Sequence, residues 1–117
     1  MATQDISIYR GDTASVICVV KMNGVAFDLT DYTMELNVKE NYEKPDTDII
    51  FTVSASIAIP TNGTGIFSLD TTHTSRICKK YVYDIKIYKL DAYNEPLDVK
   101  TLKTGYYIIN NVVKREV

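Results

Sequence analysis

Tryptophan is missing from the 117 residues, histidine occurs once and cysteine twice. A lone histidine, His73, has no second His or Cys at metal-ligand spacing, so a zinc or iron site is unsupported and no cofactor is expected. Asp70 and Ser75 lie within a few residues of it. One short turn cannot line up nucleophile, base and orienter, because a working triad is assembled from distant segments. No Gly-rich phosphate loop and no interleaved basic and aromatic pattern is present. The start of the chain, Met1 to Asp5, lacks the basic region and apolar core of a secretory signal, which implies synthesis in the cytoplasm. No membrane-length apolar run occurs either.

Charge of one sign is also scarce. Residues 1–60 hold four basic and nine acidic side chains and residues 61–117 nine and six, so the halves carry −5 and +3 and sum to −2. Nucleic acid wants clustered Lys and Arg, so it is not an expected partner, and neither is a membrane. A sustained 3.6-residue period is lacking, as are internal repeats, linkers and low-complexity tracts. The chain therefore reads as a single domain, residues 1–117, large enough to fold without metal or disulfide.

What remains is alternation. Tyr81, Tyr83, Ile85 and Ile87 share one face of an extended segment, and Asp84 and Lys86 the other, which predicts a half-buried central strand. Ile6 and Ile8 alternate before a turn at Arg10-Gly11-Asp12-Thr13. Ala14 to Met22 is apolar on both faces and predicts a strand covered on both sides, closed by the hairpin dipeptide Asn23-Gly24. Tyr32, Met34, Leu36 and Val38 alternate strictly with polar residues. Glu40 to Asp48, with Pro45, reads as a surface loop. Ile49 to Ile59 keeps one parity for eleven residues, too long for a flat strand, so a bend is expected near Ser54 to Ser56. A turn at Pro60 to Gly65 precedes a strand with Phe67 and Leu69 inward, and Thr71 to Ile77 is the one candidate helical turn. After the central strand come a hairpin turn at Ala92 to Pro96, a strand from Leu97 to Lys103, and a last strand from Tyr106 to Val113. The pattern is all-β: an immunoglobulin-like β-sandwich of about eight strands with at most one short helical turn.

Cys18 and Cys78 sit roughly where such sandwiches place an inter-sheet disulfide. Cys18 shares the inward parity of Val16 and Val20, whereas Cys78 is out of phase with Tyr81, so two free thiols are expected. Arg10-Gly11-Asp12 matches the tripeptide that integrins read and Asn62-Gly63-Thr64 the glycosylation pattern, yet each is explained as a turn. The last strand carries apolar residues on both faces: Tyr106, Ile108 and Val112 on one, Tyr107, Ile109 and Val113 on the other. A C-terminal strand usually forms a sheet edge, so Tyr106, Tyr107, Ile108, Ile109 and Val113 are the candidate protein-protein interface. Tyr42 and Tyr93 are the candidate aromatic platforms for a glycan.

In order, Ile6-x-Ile8-x-Arg10-Gly11-Asp12-Thr13, Asn23-Gly24-x-x-Phe27-Asp28-Leu29-Thr30, Gly65-x-Phe67-x-Leu69 and Tyr81-x-Tyr83-Asp84-Ile85 resemble the immunoglobulin-like domains of tailed-bacteriophage virions. The pattern is most similar to the N-terminal domain of baseplate upper proteins, with similar modules among capsid decoration and auxiliary proteins. The family often has Gly shortly before its Tyr-x-Tyr pair, where this chain has Cys78-Lys79-Lys80. The resemblance implies a non-enzymatic structural protein of the virion, most simply a capsid decoration or auxiliary protein, since no trimer-forming region follows. Tail or baseplate placement, or glycan binding on the virion, is the alternative. Its partners would be the major capsid protein or tail and baseplate proteins, or copies of itself.

Overall fold

The alternation along Tyr81 to Ile87 builds the middle of a sheet. The computed structural model describes residues 2–111. Its strands are β1 (Ala2–Thr3), β2 (Ile6–Tyr9), β3 (Ala14–Val19), β4 (Lys21–Met22), β5 (Val25–Ala26), β6 (Thr33–Lys39), β7 (Phe51–Ser54), β8 (Thr64–Leu69), β9 (Lys80–Leu90) and β10 (Pro96–Asn110), with one helical turn, α1 (Thr71–Thr74). The larger sheet runs β1-β10-β9-β6-β7, with β2 also paired to β10. Antiparallel β3 and β8 form the second layer, and β4 and β5 a short hairpin. Strands equivalent to G, F, C and C′ in one layer and B and E in the other make this the immunoglobulin-type sandwich.

Side chains of period two fill the space between the layers. Leu36 and Val38 from β6, Ile85 and Ile87 from β9, Tyr107 and Ile109 from β10, and Cys18, Phe67 and Leu69 from the opposing sheet are all buried. The expected bend after β7 is a change of sheet. Ala55 N–H donates to Met34 of β6 at 2.9 Å, while Ser56 N–H donates to Ile66 of β8 at 2.8 Å. One segment thus borders both layers, and its same-parity residues Phe51, Val53, Ala55 and Ile57 all pack into the core, whereas Ile59 at the end of the run is exposed.

Two expectations fail. β3 is covered on one face only: Ile17 and Val19 are exposed, since nothing lies outside the two-stranded layer. The segments before and after Gly105 are a single strand, β10, fifteen residues long. Register shifts between Leu97 and Lys100 and between Thr101 and Lys103, with Asp98 at φ 53°, let it bend where a flat strand of that length would not.

The turn chemistry was local and legible. Asn23 (φ 53°) and Gly24 (φ 79°) close β4 to β5 with positive φ at both central positions. Asp70 caps α1, its carboxylate accepting the Thr72 N–H at 2.9 Å.

Candidate functional site: interaction surfaces

β10 is not an edge. It pairs with β9 on one side and with β1 and β2, in parallel, on the other. β1 and β2 keep the same register on β10, Ala2 opposite Lys103 and Ile6 opposite Tyr107, so they behave as one strand interrupted at Gln4-Asp5. At the interruption the Gln4 carbonyl lies so close to Gly105 that an added Cβ would overlap it. Tyr83 donates its hydroxyl to that same carbonyl, and Asp5 accepts the Tyr106 N–H at 3.1 Å.

The five-residue interface set therefore divides. Tyr107 and Ile109, 0% and 2% exposed, belong to the core. The Tyr107 ring packs edge-on to Phe51 and Tyr81, and its hydroxyl donates to His73 O at 3.0 Å. Val113 lies outside the described residues. Tyr106, 47% exposed, and Ile108 remain on the outer face. There the Lys80 ammonium sits 5.3 Å from the Tyr106 ring, and exposed Tyr9 of β2 continues the face beyond Ser7. Sequence reasoning placed β10 wrongly because parallel pairing across about a hundred residues leaves no local signal.

The same outer face carries Tyr42. Its hydroxyl donates to Gly105 O at 3.0 Å and accepts the Gly105 N–H at 3.1 Å, tying the 40–48 loop to the sheet. Beneath the loop, Thr52 donates to Asn37 at 2.7 Å and Asn37 to Asp84 at 3.0 Å, a polar row across three strands. Tyr93 is elsewhere, on the turn beyond Leu90. Seven residues of β9 separate Leu90 from Tyr83, the partner of Gly105, which at about 3.3 Å per residue is more than 20 Å. The two tyrosines make no shared platform.

Apolar side chains are also exposed on the arm formed by the ends of β9 and β10, as they are on the outer face of β3 and β8. Leu90, Tyr93, Leu97 and Val99 are all exposed, Tyr93 at 85%. The turn is held from within: Asp91 accepts the N–H groups of Tyr93 (2.8 Å) and Glu95 (2.9 Å). At the arm's base Tyr32 donates its hydroxyl to Asp98, takes Lys89 over its ring at 4.8 Å, and meets Phe27 edge-on at 5.3 Å. The hydrogen bond to Asp98, with burial and the Asp98 charge, raises the Tyr32 pKa.

His73 has a structural place. Its Nδ1 accepts the Asp70 N–H at 3.0 Å, and its ring lies 4.9 Å from Phe51. The Thr72 hydroxyl is the main cause holding the Asp70 carboxyl below its ordinary value. Arg10-Gly11-Asp12 forms a turn with Asp12 exposed, and the Asp12 carbonyl accepts from the buried Thr74 hydroxyl at 2.7 Å. Cys18 and Cys78 are both free thiols, Cys18 buried and its pKa raised by that burial. Among the described residues no three His, Cys, Asp or Glu side chains gather into a metal site.

The fold defines an all-β sandwich of immunoglobulin type. No family model matches the chain, and no curated protein does. Among solved structures it is similar to the N-terminal domain of ORF48 of phage TP901-1, with a TM-score of 0.62 and 11% identity over 91% of this chain and 84% of that one. At that identity the likeness is one of fold.

Proposed function

We propose that this domain is a structural component of a tailed-phage virion that acts by binding neighbouring virion proteins and not by catalysis. The observation that carries the reading is the fold likeness to a phage protein domain across nine-tenths of the chain. The ordered motif series from Ile6 to Ile85 supports it independently, since it resembles the same class of domain. Within the virion, a tail or baseplate placement is favoured, because the motif series is most similar to the N-terminal domain of baseplate upper proteins. Decoration of the capsid is the competing placement. The exposed apolar arm and the Tyr9, Tyr106 and Ile108 face supply surfaces for such contacts. Weak contacts repeated on a symmetric particle gain strength through multivalency.

Labelled antibody against the domain, imaged on purified particles, tests the reading. Label at the tail tip supports the baseplate placement, and label spread over the shell moves the assignment to decoration. Particles that lack the protein, by imaging and by mass spectrometry, overturn the virion role.

A further inference from the structure

β9 is a rod with unlike ends. Residues 75–80, leading into it, contain Arg76, Lys79 and Lys80 and no acid; residues 90–98, leading out, contain Asp91, Glu95 and Asp98 and no base. Ten steps of an extended strand separate them by about 33 Å, most of the 46 Å long axis. Most of these charges are already engaged. Lys79 pairs with Glu40, Lys80 covers Tyr106, Asp98 pairs with Lys100, and Asp91 caps its own turn.

Three are not. Arg10 and Arg76 line one surface cavity of about 320 Å³ together with Ile50, Ser75, Ile77 and Tyr81. Among the described residues neither arginine forms an ion pair, and Arg76 Nε is buried without a hydrogen-bond partner. Arg76 is held by its guanidinium over the Phe51 ring at 5.5 Å, and Ile77 on the rim is 72% exposed. At the far end, the turn fixed by Asp91 presents Tyr93 and an exposed Glu95 whose carboxylate has no partner among the described residues.

We propose that the Arg10 and Arg76 cavity receives the Tyr93 to Glu95 tip of a second copy of this chain. The Glu95 carboxylate is taken by the two guanidinium groups, a pairing that suits arginine's planar donors. The Tyr93 ring rests on Ile77 and Ile50 and removes their apolar surface from water. Charge complementarity between the two ends selects this occupant over an uncharged partner. Because different surfaces of the two copies meet, the contact is heterologous and continues into a ring or a filament. It does not depend on the virion assignment.

Sedimentation velocity on the full chain, from about 10 μM to about 1 mM, the range of weak specific contacts, is the test. Association is expected that weakens as salt is raised, and Glu95→Arg should weaken it by at least about tenfold. Glu95 lies on an exposed turn held by Asp91, so an unchanged melting curve will accompany that loss. The exchange Arg76→Glu with Glu95→Arg in one chain should restore association, as should Arg10→Glu with Glu95→Arg. A chain that stays monomeric throughout overturns the proposal. So does association that Glu95→Arg leaves unchanged, or a loss that neither exchange recovers.

Discussion

Tyr106 and Tyr107 are adjacent in β10, yet a substitution at each removes different things. Tyr107 and Ile109 fill the space between the sheets, so Ile109→Ala should cost about 2–4 kcal/mol in urea unfolding, as truncated core aliphatics do. Tyr106→Ser, on the outer face, should cost less than about 1 kcal/mol. Equal losses would contradict this division of the strand. Two buried tyrosines also set an alkaline limit. Burial pushes the Tyr83 and Tyr107 phenols from an ordinary 10.0 up to about 12, with the nearby Asp5 carboxylate adding to Tyr83. Both favour the neutral form in the folded state, so their contribution is complete below pH 10 and is lost as pH rises from 10 toward 12. Absorbance titration of tyrosinate should show these two ionising with unfolding. The double variant Tyr83→Phe and Tyr107→Phe should lose stability less steeply in that window, measured by denaturation at each pH.

At the scale of elements, the attachment of β1 and β2 to β10 hinges on Gly105. Any side chain there meets the Gln4 backbone, which cannot swing aside as a flexible side chain would. Gly105→Ala is expected to destabilise the domain by more than about 1 kcal/mol and to speed amide exchange at residues 6–9 first. Uniform acceleration across β6 and β9 would refute a local effect. Most individual strands are legible in the sequence, because strict alternation at Met34 to Val38 and Tyr81 to Ile87, and turn residues at Asn23-Gly24, act over a few neighbours. The break after Ser54 was legible for the same reason. The partner of β10 was not, since nothing within ten residues of Tyr106 encodes a strand a hundred positions away. The exposed outer face of β3 was hidden too, because an apolar run does not say how many layers lie over it. Of the proposed interface only Tyr106 and Ile108 keep accessible side chains among the described residues, and the cavity shared by Arg10 and Arg76 needed two distant segments to meet.

Across the whole molecule, the sheet is closed by the two most distant parts of the described chain. Long-range pairing of this kind raises contact order, so folding in milliseconds to seconds is expected from stopped-flow fluorescence of the tyrosines. Deleting residues 2–9 should uncover the β10 edge and its apolar neighbours. That variant is expected to aggregate or dimerise in light scattering, where the intact chain does not at the same low concentration. The parallel run of β2 beside β10 has one more outcome, which concerns force. A pull applied through Ile6 and Asn110, at opposite ends of the paired segment, slides the two strands past each other instead of peeling them apart. All the hydrogen bonds of the ladder then carry load together, and none can fail alone ahead of the rest. The domain is thereby built as a mechanical clamp along its own length, a useful property in any particle that must hold together under tension.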